Sequence, residues 1–235
     1  MNNKIFDQLM TGDLVIFSGV NSILSDIVEI SLSSIWSHIG IVVKNPNFLM
    51  NKDTQDGLFL LNSDGNYETD IESGVKKIGV QINNLKQKIN DYDGQIIVRY
   101  LLTNTSRTSE ENERRNKLFT SGYQTIFDKP YDYIPLDLLI TVLNDHHITL
   151  LDNVIDDRHL DHIFCSALVA YIYTSCDIMD KNTKWSLITP DVFVKDANKN
   201  YYLCNNYYLS PIQIIKDTKG NINEIEQKSN ICVML

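Results

Sequence analysis

No Cys-x-x-Cys pair occurs in this 235-residue chain, and no apolar run is long enough to span a bilayer. Basic residues are outnumbered by acidic ones, 21 to 30, for a formal net charge of −9. That balance argues against a dedicated nucleic-acid surface, which needs clustered Lys and Arg to meet phosphates. His146-His147 and His159-x-x-His162 lack a well-spaced cysteine pair, so neither a structural zinc site nor any other metal or cofactor is expected. No signal peptide precedes Met1-Asn2-Asn3-Lys4, and the four cysteines, Cys165, Cys176, Cys204 and Cys232, read as reduced thiols in a cytoplasmic setting. Internal repeats and low-complexity blocks are absent too.

A hydrophobic content of 43% with 12 tyrosines can furnish a real core. Between residues 12 and 102 short β segments dominate: Gly12 to Phe17, Ile39 to Val43, Leu58 to Asn62, Val75 to Ile82 and Gln95 to Leu102. Helical periodicity marks Val20 to Leu32, a short helix opening at Asn83-Asn84-Leu85-Lys86, and Leu136 to Leu143. Thr108-Ser109-Glu110-Glu111 is a capping box launching a charged helix to about Phe127, with Gly122 weakening its middle. Ser63-Asp64-Gly65-Asn66 reads as a loop. Pro190 starts a short helix, and Asn200 to Ser210 with Ile212 to Asp217 reads as a strand pair. The layout predicts an α+β domain over residues 1–217, a small antiparallel sheet against a helical layer, with a loop or insertion at about 144–161. Residues 218–235 read as a polar tail.

The chemistry centres on Phe164-Cys165-Ser166 and the helical run that follows to about Ile178. A thiol in the first turn of a helix feels free backbone N–H groups and the positive end of the dipole, both of which favour a thiolate. A cysteine nucleophile also needs a base, adjacent in space rather than in sequence. His38, at the entrance of a β-branched strand, is the candidate. An imidazole needs a third polar group to orient it, and Asn62, at the end of the next strand, is placed to come back beside it. Taken alone, Cys165 and Cys176 would read as buried helix residues, Cys204 as a strand core residue, and Tyr131 as a packing residue closing a groove.

Gly12-Asp13-Leu14-Val15-Ile16-Phe17, Ser37-His38-Ile39-Gly40-Ile41-Val42, Pro130-Tyr131-Asp132-Tyr133, Phe164-Cys165-Ser166 and Thr189-Pro190-Asp191, in that order, resemble the circularly permuted papain-like enzymes. These are the YiiX/YaeF-like amidase branch of the NlpC-related superfamily, which has poxviral members and is related to the lecithin:retinol acyltransferases. The resemblance covers roughly residues 10–195. It implies a permuted papain-like fold, with Cys165 as nucleophile and His38 as base. The family carries an acidic residue, often Glu, after the next strand. Here Asn62 holds that place, and Asp64 is the substitute if the register shifts. The family's Cys-Ser-Glu reads Cys165-Ser166-Ala167 in this chain. The backbone N–H of Cys165 would serve an oxyanion hole, with Tyr131, His159 and His162 as candidates for the second donor.

The expected activity is cleavage of an amide or acyl bond through an acyl-enzyme, on a small-molecule, peptide or acyl-lipid substrate. A lipid acyl hydrolase or acyltransferase of the same fold is the alternative, and a non-catalytic binding module the second. Cys232-Val233-Met234-Leu235 fits a C-a-a-X prenylation box, which would bring peripheral membrane contact in a eukaryotic cytosol.

Overall fold

The computed structural model describes residues 3–18, 35–50, 55–104, 108–132, 160–195 and 202–217. The expected Val20 to Leu32 and Leu136 to Leu143 helices, His159, nearly all of the 144–161 segment and the tail with Cys232 lie outside them.

The described chain runs through α1 (Asn3–Gln8), β1 (Leu14–Ser18), β2 (Trp36–Lys44), β3 (Leu58–Thr69), β4 (Lys76–Asn84), α2 (Leu85–Asp91), β5 (Ile96–Arg99) and β6 (Leu101–Thr103). It continues with α3 (Ser109–Ile126), α4 (Cys165–Ser175), two 3-10 turns (Trp185–Leu187 and Pro190–Phe193), β7 (Tyr207–Leu209) and β8 (Gln213–Lys216). Six strands form one antiparallel sheet in the order β4-β3-β2-β1-β5-β8. This is the α+β architecture that the alternating strand segments imply.

Strand alternation divides the core in two. Leu14, Ile16, Ile39, Ile41, Phe59, Leu61 and Ile82 face α3 and α4, where they meet Phe119, Tyr123, Leu168, Val169 and Ile172. Val15, Phe17, Val42, Leu60, Ile96 and Val98 face the other way, under Ile5, Leu9, Leu85 and Ile89 of the α1 and α2 region. All of β1 is buried, as a central strand covered on both faces must be.

The helix starts follow their local chemistry. Asn84 caps α2 by accepting from the Gln87 N–H at 3.0 Å. Thr108 and Glu111 form the reciprocal capping box on α3. Gly122, which costs α3 intrinsic propensity, sits where α3 meets α4. A Cβ there would lie 3.2 Å from Ile172 Cδ1, so the missing side chain permits the close helix contact. Gly79 (φ +102°) serves the sheet edge: a Cβ would stand 2.4 Å from the Lys129 carbonyl oxygen, which accepts the Val80 N–H. The segment at Lys129 and Pro130 thus covers the edge strand β4.

Four expectations are corrected. Ser63 to Asn66 is strand, not loop, because the β3–β4 ladder continues through Ser63↔Val80 and Asp64↔Gly79 and its polar side chains find buried partners. The segment from Gln95 to Leu102 breaks at Tyr100 into β5 and β6, which join different sheets. The strands after residue 206 do not pair with each other: β7 pairs with β6 and β8 with β5. Ser210 turns the chain between them, its N–H donating to the Tyr100 carbonyl oxygen and its hydroxyl accepting the Tyr100 N–H. Finally, α4 stops at Ser175, short of Ile178. Among the described residues no helix is long and apolar enough to cross a membrane.

Candidate active site

The site is built where β2 and β3 part. In β2 the Val42 N–H and carbonyl bond to the β1 side, to Asp13 and Gly12. By alternation, Ile41, Ile39 and Ser37 present their backbone groups to the β3 side. The β2–β3 ladder, however, ends at Ile41↔Leu61. The carbonyl of Ser37 and the N–H of Ile39 therefore lack their strand partner, and the Cys165 thiol takes that place. Its Sγ–H donates to the Ser37 carbonyl oxygen at 3.9 Å, and the Ile39 N–H points at the sulfur.

Cys165 is delivered there by the start of α4. Two contacts fix the approach of the chain: the Ile163 N–H donates to the Pro130 carbonyl oxygen, and the Ser63 hydroxyl donates to the Ile163 carbonyl oxygen at 2.6 Å. The N-cap residue is Phe164, and it makes no side-chain capping bond. The first N–H groups of the helix are left for the sulfur and for whatever binds beside it.

His38 comes from the same strand by the opposite face. Its β1 partner is Phe17, whose ring centroid lies 5.5 Å from the imidazole. Tyr92 packs edge-on against Phe17 at 5.0 Å and donates its hydroxyl to the Ser18 carbonyl oxygen. The imidazole Nε2 lies 3.3 Å from Asn62 Nδ2 and 3.5 Å from Asp64 Oδ2. Both candidates for the third member thus stand behind the ring. Among the described residues the thiol and the imidazole make no hydrogen bond to each other. They approach one stretch of β2 from its two sides, at the end where β3 no longer covers it.

Behind the ring is a group that sequence reasoning missed. Lys88 Nζ lies 2.7 Å from the same Asp64 Oδ2 and also bonds Glu68. Its side chain is only 5% exposed. Asp64 Oδ1 accepts the Asn66 N–H at 2.9 Å. A signal for Lys88 existed in the sequence: in α2 it sits three residues after Leu85 and one before Ile89, on the face both of them bury.

Burial governs the electrostatics. It pushes the Cys165 thiol up to about 12; the Asp64 charge adds to this, while the N–H groups of Ile39, Ser166 and Cys165 itself oppose it. Burial likewise pushes His38 down to about 4, with Asp64 pulling up and Lys88 pushing down. Burial alone would raise Asp64, but the neighbouring His38 and Lys88 charges and its hydrogen bonds hold it at about 2. At neutral pH the resting pair is a neutral thiol and a neutral imidazole beside an ionised carboxylate.

The other candidates scatter. Tyr131 is 8% exposed and belongs to the core beneath α4, which leaves little of it for a substrate to touch. His162 is exposed on the turn before α4. Cys176 is buried at the end of α4. Cys204 is not a strand core residue: it is half-buried in a turn ahead of β7, its Sγ–H donating to the Asp177 carbonyl oxygen at 3.4 Å. Among the described residues no three His, Cys, Asp or Glu side chains converge to hold a metal ion.

No family model matches this chain, and no curated protein does. Among solved structures, the chain is similar to the crystal structure of metalloprotein yiiX from Escherichia coli O157:H7 (DUF1105), at 16% identity and a TM-score of 0.45, over 90% of this chain and 98% of that one.

Proposed function

We propose that this protein is a thiol hydrolase of the circularly permuted papain-like type, cleaving an amide or acyl bond with Cys165 as nucleophile and His38 as base. The observation that carries the reading is the seat of Cys165. Its sulfur stands at an uncapped helix start, on the backbone of the residues flanking His38, in the opening between β2 and β3.

The chemistry follows from the arrangement. With Nε2 turned to Asn62 and Asp64, Nδ1 is the ring nitrogen left for the thiol. Because both groups are neutral at rest, the proton moves to His38 as sulfur attacks the carbonyl carbon, in the manner of general-base catalysis. Asp64 lies beside the imidazolium that forms and stabilises it. The oxyanion faces the first N–H groups of α4. His38 then gives its proton to the leaving amine or alcohol, and a thioester on Cys165 remains. Water, deprotonated by His38, releases the acid and restores the thiol.

A second reading, a binding module that has kept the fold, draws on one observation: Cys165 and His38 are held neutral and do not bond each other. Labelling with a thiol-directed acyl probe at pH 7 separates the two. The hydrolase reading expects labelling that disappears in Cys165→Ala and falls about 100-fold or more in His38→Ala. Undiminished labelling in Cys165→Ala would sink it. Release of amine from N-acyl amides, set against release of fatty acid from lipid esters, then separates an amidase from a lipid acyl hydrolase or transferase.

A further inference from the structure

Asp64 Oδ2 is the point on which the polar side of the sheet converges. Lys88 Nζ lies 2.7 Å away, Asn62 Nδ2 3.4 Å and His38 Nε2 3.5 Å. The Asp64 side chain is 6% exposed, and the Asn62 Oδ1 beside it is buried with no hydrogen-bond partner among the described residues. A single buried oxygen shared by a primary ammonium and an imidazole cannot serve both equally. Here the ammonium holds the shorter contact. Lys88 is itself tethered from behind by Glu68, so its position does not depend on Asp64 alone.

We propose that Lys88 is a positioning residue of this site: by occupying the oxygen that Asp64 offers to His38, it determines how much of that negative charge the imidazole receives. The proposal rests on the reading of Cys165 and His38 as a catalytic pair. It adds a fourth member to that pair and its carboxylate, one that keeps the imidazole a neutral base until substrate arrives.

Among the described residues, the groups around His38 are few. From β3 come Asn62, Asp64 and, behind Lys88, Glu68. From α2 comes Lys88 and from β1 Phe17, against which Tyr92 packs; Cys165 of α4 meets the carbonyl of the preceding residue, Ser37. Lys88 is the only cation in this set. Of the charges acting on His38, Asp64 raises its affinity for a proton and Lys88 lowers it. Removing Lys88 therefore acts twice: it deletes a repulsion, and it frees Oδ2 for the ring.

The test is a proton NMR titration of the His38 ring in the full chain, in wild type, Lys88→Met, Lys88→Arg, Asp64→Asn and Asp64→Asn/Lys88→Met. Lys88→Met is expected to raise the His38 midpoint by about one pH unit or more. Lys88→Arg, which keeps the cation, is expected to leave it low. In the Asp64→Asn background the further loss of Lys88 is expected to move the midpoint less, since the oxygen through which it acts is gone. Should Lys88→Met alone fail to fold, the comparison of Lys88→Arg, Asp64→Asn and the neutral double variant carries the test. There the proposal requires Asp64→Asn to lie lowest and the double variant above it by less than a unit.

A His38 midpoint that ignores Lys88 in both backgrounds would overturn the proposal. Probe labelling of Cys165 is read on the same samples. If labelling is absent throughout while the midpoints shift as stated, the catalytic reading fails and the control of His38 by Lys88 stands.

Discussion

The two faces of the sheet are held by different physics. Toward α3 and α4 the interior is mainly apolar packing, with a few neutral donors set into it, such as the Tyr173 hydroxyl donating to the Gly12 carbonyl oxygen and the Ser63 hydroxyl donating to that of Ile163. Toward α1 and α2 the interior is apolar around β1, β5, Val42 of β2 and Leu60 of β3. Across β3 and β4 it becomes polar, with Asn62, Asp64, Gln81, Asn83 and Lys88 all buried. One strand, β2, serves both: Ile39 and Ile41 belong to the first face, His38 and Val42 to the second. The contrast teaches how the site is divided. The apolar face positions the nucleophile through the rigid start of α4, and the polar face tunes the base through charge.

The sharpest way to break this contrast is to remove one charge from the polar face. Asp64→Leu leaves the buried Lys88 ammonium with the partly exposed Glu68 as its remaining carboxylate partner among the described residues, and is expected to destabilise by about 3 kcal/mol in urea denaturation. The double variant Asp64→Leu/Lys88→Met is expected to recover most of that, since replacing a buried pair by apolar side chains is often neutral. Failure of the double variant to recover would mean that packing, not charge, governs both faces. On the apolar face, Leu168→Ala leaves a cavity and is expected to cost about 3 kcal/mol, with no partner substitution able to compensate it as charge removal does.

Acid sharpens the comparison further. His38 carries a folded midpoint near 4, below its ordinary 6.5. The unfolded chain therefore binds more protons between those values, and the His38 contribution to stability grows as pH rises through that window and is lost as pH falls. Asp13, a buried carboxyl accepting the Met10 and Leu101 N–H groups, has its midpoint pushed up by burial to about 6. Its contribution runs the other way, lost as pH rises from 3.8 through 6. The two largely cancel in the wild type. His38→Gln leaves Asp13 unopposed, so its stability should fall by about 2 kcal/mol between pH 4 and 6.5 relative to wild type. Equal pH profiles would show that His38 is not buried as a neutral base. The smallest effect is reserved for a position off both faces: Thr108→Ala should cost about 1 kcal/mol by loss of the α3 capping box, independent of pH near neutrality.

What the sequence revealed follows the same division. The apolar face was legible, because helical spacing in Leu168, Val169 and Ile172 and β-branched runs such as Ile39 to Val43 report burial directly. The capping box on α3 was read for the same reason, since it is a local rule. The polar face was legible only at His38, at Asn62 and at Asp64 as its substitute. Ser63 to Asn66 looked like a loop because its polar residues imply water, whereas Ser63 bonds the Ile163 carbonyl and Asp64 bonds Lys88 inside the fold. Lys88 was overlooked because a lysine in a short helix reads as solvated, and its partner lies 24 residues earlier in the chain. Pairings of that range, like β8 with β5, are set by tertiary context that no local pattern encodes. The opening between β2 and β3, on which the site depends, is an interruption of a ladder, and nothing in either strand alone announces where the pairing stops.

The most direct test of the central claim is intact-mass and peptide-mass analysis after brief exposure to an activated acyl ester at pH 7. Of the described thiols Cys204 is the more exposed, and Cys165 is 4% exposed, so between these two unassisted acylation would favour Cys204. The account predicts a single acyl group on Cys165 that is then lost by hydrolysis, with acylation slowed about 100-fold or more in His38→Ala. Acylation confined to Cys204, or acylation of Cys165 at the same rate in His38→Ala, would contradict it.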